Sequence, residues 1–321
     1  MRPIALIAVL AIAGTSMASA QDEPMRDRIH FLIPGGAGGG WDGSARGVGE
    51  ALTRSGLVGN TSFENMSGGG GGLAMTYLID NAESNRDTLM INSTPMIIRG
   101  LTGQMSQTYE AVTPIASVLG DYGALVVAAD SDIETFGDFV DAYQEDPNSV
   151  ATGGGSVPGG MDHLVASLIL EGADINSAMV QYIPYDAGGS AMAALLSGEI
   201  EVLATGFSEA IDLRDAGEVR IVGVTAPERL ESYPEVPTFA EQGSDVDFVN
   251  WRGFFAVPDL SEDAAADYHQ LVTDMLETPE WEEVRARNGW TTIHFEGDEF
   301  MDFLSEQETQ MRDLMTNLGF L

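Results

Sequence analysis

The sequence contains no cysteine and no lysine, and it has no long apolar run beyond its first twenty residues. The lack of cysteine excludes disulfides and a lipid-modified N-terminal cysteine. The lack of a later apolar run excludes a predicted transmembrane helix after residue 20. All 14 basic residues are therefore arginines, which face 50 acidic residues, so the formal net charge is −36.

This acidic excess makes nucleic acid or an anionic membrane surface a poor partner, because both repel a strongly negative protein. Two interpretations of the charge remain open. One is adaptation to concentrated salt, where the Debye length falls to ~3 Å at 1 M, and the other is an ordinary acidic exported protein. Hydrophobic residues make up 44% of the chain, which is enough to form real cores. About 300 residues after the leader fit two domains better than one.

The first twenty residues, MRPIALIAVLAIAGTSMASA, have the pattern of a secretory signal peptide. Arg2 precedes an apolar run that is too short to span a bilayer, and Ala18-Ser19-Ala20 is a small-residue cleavage site. The alternative is a buried N-terminal helix. We predict a signal peptide over residues 1–20 with cleavage after Ala20, and a mature chain that does not insert into the membrane.

Strand-like and helix-like segments alternate along the rest of the chain, which predicts an α/β fold with largely parallel sheets. Met161, Leu164, Val165 and Leu168 recur at helical spacing and form the clearest helix. Predicted strands include residues 28–34, 60–66, 87–93, 123–130, 179–185, 199–206 and 219–225. Predicted helices include residues 42–56, 135–145, 190–198 and 278–289, the last with Thr278 as its N-cap and Pro279 in its first turn.

The predicted domains have no linker between them, so we expect strands to cross directly from one to the other near residues 121–126 and 247–252. Domain 1 is then residues 21–123 plus 250–321, and domain 2 is residues 124–249. The glycine-rich loops all follow predicted strands. Because ligands of open α/β sheets bind beyond the carboxyl ends of the strands, these loops could converge on one cleft.

The loop that follows the first predicted strand contains a G-x-G-x-x-G pattern at Gly38, Gly40 and Gly43. Glu64 ends the next strand, where a dinucleotide-binding fold places its ribose-binding acid. Two further glycine-rich loops, at 68–72 and 153–160, have the same character, although a dinucleotide site needs one. Export also takes the chain away from free NAD. We therefore favour a different anion, held by backbone N–H groups and helix N-termini.

Seven ordered motifs carry a family resemblance over nearly the whole mature chain. They are PGGAGGGWDGSARG, ENMSGGGGG, GGGSVPGGMDHL, QYIPYDAGGSAMAALLSGEIEVLATGFSE, LRDAGEVRIVGVTAPERL, PEVPTFAEQG and VNWRGFFAVP. The set resembles the extracytoplasmic substrate-binding proteins of tripartite tricarboxylate transporters, the Bug family. In many members the first loop has Phe, Ala, Pro and Thr, where this chain has Gly35, Gly36, Ala37 and Trp41. At Gly38, Gly39, Gly40 and Asp42 this chain matches the family pattern. Trp41 could change which ligands fit the cleft.

The resemblance implies a type II periplasmic-binding-protein-like fold with two α/β domains that close on a small carboxylate of the di- or tricarboxylate type. It implies a periplasmic monomer that delivers its ligand to large and small integral-membrane permease subunits, with no cofactor. Its ligand loops map to 35–42, 66–70, 92–95, 153–162, 185–189 and 206–209. The predicted ligand residues are Gly36, Ala37, Gly39, Gly40, Trp41, Asp42, Ser67, Gly68, Ser93, Thr94, Gly155, Ser156, Gly160, Met161, Asp162, Tyr185, Gly188, Gly206, Ser208 and Arg252.

Several of these residues have a second, purely structural interpretation. Asp42 is favoured as the N-cap of the first helix rather than as a direct ligand. Arg252 could bind a ligand carboxylate through its guanidinium fork, or it could pair with a local acid. Each candidate hydroxyl, such as that of Ser156 or Ser208, could instead belong to a turn. Trp251 is expected in the core.

No catalytic pattern emerges from the sequence. The four histidines, at 30, 163, 269 and 294, lack metal-binding spacing. The segment GFSEA resembles a nucleophile elbow, but Ala210 stands where the final glycine belongs. His163 is expected to cap a helix or to lie in the core. We therefore predict a binding protein without enzymatic activity, metal or cofactor. The alternative is an exported hydrolase or ligand-sensing module on the same fold.

Overall fold

The computed structural model of the protein describes residues 23–321, so the predicted signal peptide and its cleavage after Ala20 lie outside the described residues. Within residues 23–321, strands and helices alternate, and the predicted α/β fold class is confirmed. The strands are Arg26–Ile33 (β1), Val58–Asn65 (β2), Thr88–Ser93 (β3), Thr113–Ala128 (β4), Thr152–Gly154 (β5), Tyr182–Pro184 (β6), Val202–Gly206 (β7), Val219–Val224 (β8), Val249–Ala256 (β9) and Thr291–Thr292 (β10).

The structure has the five helices whose bounds were predicted from sequence, close to those bounds, and further helices for which no bounds were predicted. They are Gly40–Arg54 (α1), Gly72–Asp80 (α2), Thr94–Leu101 (α3), Phe136–Glu145 (α4), Met161–Glu171 (α5), Gly188–Ser197 (α6), Ile211–Asp215 (α7), Glu262–Leu276 (α8), Pro279–Arg287 (α9) and Gly297–Asn317 (α10). Thr278 caps α9 as predicted, because its side chain accepts a hydrogen bond from the backbone N–H of Trp281. No helix in the described part of the chain is long and apolar enough to span a membrane.

The strands follow the order β2-β1-β3-β9-β4-β7-β5-β6, and β8 and β10 also pair with β4. The pairs β1–β2, β1–β3, β5–β6 and β5–β7 are parallel. All pairs that involve β4 or β9 are antiparallel. The prediction of largely parallel sheets is therefore wrong, because two long strands run through the centre of the fold in the opposite sense to their neighbours.

Strand β4 is 16 residues long and belongs to both halves of the sheet. Its first part, up to Tyr122, pairs with β9. Its last part, from Gly123 to Ala128, pairs with β7 and β8. The sequence pattern predicted a strand over 123–130 and missed the first part, where the pairing shifts register after Pro114 and again after Ser117. A bulged strand tolerates proline and loses the regular alternation by which strands are recognised.

Helices cover both faces of this sheet. On β1, Phe31 and Ile33 pack in a core cluster with α1, α8 and α9, whereas Leu32 points to the opposite cluster with α2, α3 and α10. Such alternation is the normal consequence of strand geometry. Around the last part of β4, α6 and α7 cover one face and α4 and α5 cover the other. Trp251 lies in the core, 1% exposed, as predicted.

Candidate functional site

A cavity of about 450 Å³ lies between the loops at the carboxyl ends of the parallel strands. The loops that follow β1 and β2 form one wall, and those that follow β5 and β6 form the other. Its floor includes Arg252 of β9 and Glu209, which follows β7. Cavities of this size, with a few polar groups that converge on one space, are typical of sites for small molecules.

The cavity brings most of the predicted ligand residues together and leaves a few outside its wall. In the wall are Gly36, Gly39, Gly40, Trp41, Ser67, Gly68, Ser93, Gly155, Ser156, Met161, Asp162, Tyr185, Gly188 and Arg252. Outside the wall are Ala37, Asp42, Thr94, Gly160, Gly206 and Ser208. The wall also contains polar residues that the sequence reasoning did not select, namely Arg99, Gln104, Asp186, Glu209 and Asn250.

The two walls touch each other across the mouth of the cavity. Ser67 Oγ on one wall donates a hydrogen bond of 2.8 Å to Asp186 Oδ1 on the other. A Cβ atom at Gly36 would lie 2.9 Å from Cβ of Ala187, so glycine is what allows the loops to approach this closely. The two walls are therefore in direct contact at these points.

Helices α1, α3 and α6 begin at the cavity and have no side-chain cap at their N-termini, where the N-cap residues are Gly39, Ser93 and Ala187. Helix α5 also begins there without a side-chain cap, at Gly160, but the N–H of Asp162 in its first turn donates to Ser156 Oγ. Of the helices that begin elsewhere, α4, α8 and α9 are capped by Thr135, Ser261 and Thr278, whereas α7 and α10 have no side-chain cap. The first turn of an uncapped helix keeps free N–H groups and a partial positive charge, which together attract an anion.

Trp41 forms a fixed part of the wall. Its indole Nε1 donates a hydrogen bond of 2.9 Å to Ser93 Oγ, so the hydroxyl at the start of α3 holds the ring instead of capping the helix. A Cβ atom at Gly35 would lie 3.0 Å from the ring. Trp41 is therefore held from two sides, and its ring limits the shape of the cavity.

Asp42 is not the N-cap of α1, so this prediction is wrong. The N-cap is Gly39, and Asp42 lies in the first turn, where its Oδ2 accepts a hydrogen bond of 3.1 Å from the backbone N–H of Gly38. Its Oδ1 accepts from Arg46 Nε at 2.9 Å and from Asn65 Nδ2 at 3.1 Å. A first-turn acid commonly reaches back to the preceding loop in this way. Asp42 thus orders the glycine loop from outside the cavity.

Arg252 is paired with an acid and also lines the cavity. Its Nη2 donates to Asp121 Oδ2 at 2.8 Å and its Nη1 donates to Ser44 Oγ at 3.0 Å. Ser208 Oγ also donates to Asp121 Oδ2, at 2.6 Å. Burial raises the pKa of Asp121, while Arg252 and Ser208 oppose that rise. The pair is 4% and 1% exposed and ties β9 to β4 beneath the cavity.

Two carboxyl groups in the cavity wall have raised pKa values. Burial raises the pKa of Glu209 to about 8 and that of Asp162 to about 6, and the neighbouring Arg252 guanidinium opposes both shifts. Glu209 Oε1 accepts a hydrogen bond of 3.3 Å from the N–H of Gly206. A protonated Glu209 can donate a hydrogen bond to a ligand oxygen at neutral pH, which an ionised carboxylate cannot do.

Arg99 is buried in the cavity wall without an acidic partner among residues 23–321. It is 7% exposed, and its Nη1 donates a hydrogen bond of 3.0 Å to the carbonyl oxygen of Gly69. Burial lowers its pKa, which reflects the cost of removing a guanidinium from water. The sequence reasoning missed Arg99, because it predicted no helix over Thr94–Leu101 and no motif singled out this position.

The contacts of the other candidate groups do not support dinucleotide binding or hydrolysis. Glu64 lies on the surface, where its Oε2 is 3.4 Å from His30 Nε2. Ser208 is bonded to Asp121, whereas His163 Nδ1 accepts from the N–H of Gly159 at 3.1 Å. In the described range, no group of three or more His, Asp or Glu side chains is arranged to hold a metal ion.

The chain matches a known family along most of its length. The family model described as "Tripartite tricarboxylate transporter family receptor" matches residues 45–320. Protein BugT of Bordetella pertussis is 23% identical over 326 residues, with 99% of this chain and 98% of BugT covered. A protein encoded in the tcbD–tcbE intergenic region of Pseudomonas sp. (strain P51) is 26% identical over 259 residues, which is 79% of this chain and 75% of that protein.

Solved structures show the same fold. The periplasmic binding protein BugD has a TM-score of 0.81 at 18% identity, with 92% of this chain and 98% of BugD covered. Rpa4515 of R. palustris with adipate has a TM-score of 0.81 at 17% identity, with 93% and 99% covered. MatC of Rhodopseudomonas palustris with bound malate has a TM-score of 0.77 at 19% identity, with 91% and 99% covered. These comparisons confirm the predicted periplasmic-binding-protein-like fold.

Proposed function

Since the chain belongs to the tripartite tricarboxylate transporter receptor family, we propose that it captures a small organic acid in its cleft and delivers it to a membrane permease. The observation that carries this proposal is the convergence of α1, α3 and α6, all without side-chain caps, on one cavity. Their free N–H groups match the acceptor oxygens of a carboxylate.

These contacts are strong enough for a receptor, even without lysine. A hydrogen bond to a charged group contributes about 1.5 to 3 kcal/mol, and a helix N-terminus adds about 0.3 to 2 kcal/mol. Three or four such contacts reach the ~8 kcal/mol of a micromolar complex. The net charge of the chain opposes an anion, but salt screens it beyond a Debye length of ~8 Å at physiological ionic strength.

The bound ligands of two similar structures support this substrate class. Rpa4515 was solved with adipate and MatC with malate, and both have the fold of this chain. Adipate and malate are small dicarboxylates. We propose that this chain also binds a small di- or tricarboxylate, and we do not choose among the acids of that class.

We propose that the cleft works by closure of two domains, residues 21–123 plus 250–321 and residues 124–249. The change of partners along β4, from β9 before Gly123 to β7 and β8 after it, supports this division. The hydrogen bond between Ser67 and Asp186 supports a closed state in which the two walls meet. A hinge motion that opens this contact would admit the ligand.

The rest of the transport role follows from the family. We propose that residues 1–20 direct export, that the mature chain acts in the periplasm as a monomer, and that its partners are the integral-membrane permease subunits. The acidic surface fits work in concentrated salt, and no nucleic acid is expected to bind it.

Titration calorimetry and thermal shift on the chain from Gln21 onward, with a panel of mono-, di- and tricarboxylates, test the proposal. We expect saturable binding of at least one di- or tricarboxylate and compaction in small-angle scattering when that ligand saturates the protein. Ester turnover is assayed on the same samples. Turnover that is lost in Ser208→Ala, together with no stabilisation by any acid, would favour the hydrolase alternative instead.

A further inference from the structure

We propose that Glu209 couples ligand capture to the uptake of a proton, so that the protein holds its ligand at neutral pH and releases it as the pH rises. This inference rests on the proposed function, since it assumes that a ligand carboxylate binds at the N-terminus of α6. It makes the cleft responsive to pH through one side chain.

Glu209 and Asp121 form a pair of neighbouring carboxyl groups beneath the cavity. A Cβ atom at Gly206 would lie 2.5 Å from Asp121 Oδ2 and 3.1 Å from Glu209 Oε1, so the two carboxyl groups face the same point. Two carboxyl groups that are close together and removed from water do not both ionise at neutral pH, because their charges repel. The pair is therefore expected to hold a proton in the free protein.

The contacts of the two groups place this proton on Glu209. Asp121 accepts hydrogen bonds from Arg252 Nη2 at 2.8 Å, from Ser208 Oγ at 2.6 Å and from the Ser208 N–H at 3.2 Å, all of which stabilise its ionised form. Glu209 Oε1 accepts one hydrogen bond, of 3.3 Å, from the N–H of Gly206. Within residues 23–321, Glu209 has no ion pair, and no hydrogen bond holds its Oε2.

Glu209 Oε2 lies at the start of α6, where a ligand anion is expected. A Cβ atom at Gly188, the first residue of α6, would overlap this oxygen. Oε2 nevertheless leaves the helix uncapped. A ligand carboxylate that accepts hydrogen bonds from the first turn of α6 would therefore lie beside Oε2. An ionised Glu209 repels that carboxylate, whereas a protonated Glu209 can donate its O–H to it, so binding favours the protonated form.

The charged groups around Glu209 come from several elements. Burial raises the pKa of Glu209 to about 8, the charges of Asp162 on α5 and Asp121 on β4 add to this rise, and Arg252 on β9 opposes it. Further charged or titratable groups lie in the cavity wall, in the first half of α1 and in α7. They are Arg99, Tyr185, Asp186, Asp42, Arg46, Asp212, Arg214 and Asp215.

The range from pH 7 to 9 separates Glu209 from these neighbours. Ordinary carboxyl groups and arginines keep their charge in this range. Asp162, whose pKa burial raises to about 6, is mostly ionised above pH 7. Burial raises the pKa of the Tyr185 phenol above its usual range, so that it stays protonated. A change in ligand affinity between pH 7 and 9 therefore reports the charge of Glu209.

Titration calorimetry at pH 8, in buffers of different ionisation enthalpy, counts the protons that are taken up with the ligand. The probe is malate, succinate or adipate, whichever binds most tightly at pH 7, where the carboxyl groups of all three are ionised. We expect the wild type to take up about half a proton at pH 8, because about half of the free protein then lacks the proton on Glu209. The Kd should rise about 5- to 10-fold between pH 7 and 9.

Glu209→Gln keeps the size of the side chain but cannot ionise. In this variant we expect no proton uptake at pH 8 and the same Kd at pH 7 and 9, whatever its affinity. Glu218→Gln is the matched control, because it also removes one carboxyl group and Glu218 is exposed on the surface. This control should take up protons and lose affinity with rising pH as the wild type does.

Each other result has its own meaning. If the wild type takes up no proton at pH 8, or if Glu209→Gln takes up as much as the wild type, the coupling is overturned while the proposed function stands. If Glu209→Gln does not fold, infrared difference spectra of the wild type decide, because binding at pH 8 must then increase the signal of protonated carboxylic acids. If the wild type binds no acid in the full panel of mono-, di- and tricarboxylates, the proposed function fails and takes this inference with it.

Discussion

Gly70 lies directly against Arg99, so that any Cβ atom at Gly70 would overlap the guanidinium, 1.5 Å from its Cζ. Gly69, the preceding residue, has nearly the same φ, +54°, but it has open space where a Cβ would go. The two neighbours therefore separate the effect of backbone strain from the effect of contact with Arg99.

We predict that Gly69→Ala destabilises the protein by about 1 to 2 kcal/mol through the left-handed backbone alone. Gly70→Ala should destabilise it further and should weaken binding of a dicarboxylate at least tenfold, because Arg99 has to move. Urea unfolding and calorimetry on the two variants measure both effects. Equal ligand affinity in the two variants would contradict the placement of Arg99 in the binding site.

The buried ion pair beneath the cavity should be sensitive to loss of one partner. Asp121→Asn leaves Arg252 charged and 4% exposed, without the carboxylate to which it is hydrogen-bonded. We expect a loss of about 3 to 5 kcal/mol in the free energy of unfolding, measured with urea. The double variant Asp121→Asn with Arg252→Met should recover part of that loss, because it removes the unpaired charge. If the double variant is less stable than Asp121→Asn, the unpaired charge of Arg252 is not the cause of the lost stability.

The raised pKa of Glu209 predicts a pH dependence of stability. The folded protein holds this proton up to about pH 8, whereas the unfolded chain releases it near 4.5. Between these values the folded state binds more protons, so stability falls as pH rises. We expect the unfolding free energy of the wild type to fall from pH 6 to 8, by at most about 1.4 kcal/mol per pH unit.

Glu209→Gln, which cannot ionise, should show a shallower fall over the same range. The range above pH 6 avoids most of the titration of Asp162, whose pKa is raised to about 6. Parallel pH profiles for the two proteins would mean that Glu209 titrates normally in the folded state.

The C-terminal segment should support the ligand loop of the opposite wall. The ring of Phe320 packs edge-on against His163, with centroids 5.0 Å apart, and His163 accepts a hydrogen bond from Gly159 in that loop. We predict that Phe320→Ala lowers stability by about 0.5 to 1.5 kcal/mol and weakens ligand binding. Leu321→Ala is the control, because Leu321 is 45% exposed. If Phe320→Ala binds the ligand as tightly as the wild type, the C-terminal segment does not support the ligand loop.

The charge of −36 predicts that salt stabilises the protein. Repulsion among carboxylates destabilises the compact state, and screening reduces it as the Debye length falls from ~30 Å at 0.01 M to ~3 Å at 1 M. We expect the melting temperature to rise between 10 mM and 2 M NaCl. If the protein is no less stable in 10 mM NaCl than in 2 M NaCl, the high-salt interpretation loses its support.

Local signals in the sequence were enough to predict α1, α4, α5, α6, α9 and the glycine loops. The apolar spacing from Met161 to Ile169 and the Thr278-Pro279 start of α9 depend on neighbours in the chain, and both elements form as predicted. The first part of β4 was missed, since its pairing with β9 joins residues that are distant in sequence and includes two shifts of register.

Arg252 and Asp162 were predicted in the site, but the partners of its charged residues could not be predicted, for the same reason. The hydrogen bond between Arg252 and Asp121 joins residues that are 131 positions apart in the sequence, and the one between Arg99 and Gly69 joins residues 30 positions apart. No predicted helix or motif includes Arg99, which lies in α3 of the structure. Glu209 was considered as part of a nucleophile-elbow pattern, although its raised pKa comes from burial next to the cavity. The roles of these residues depend on packing that a one-dimensional pattern does not contain.

The uncapped helices make the ligand a part of the secondary structure. Threonine or serine side chains complete the first turns of α4, α8 and α9, whereas no side chain does so for α1 and α6. A bound carboxylate would supply the missing acceptor oxygens and would act, in effect, as the capping residue that the sequence omits. The amide protons of Gly40 and Gly188 should therefore exchange with solvent more slowly when the acid is bound.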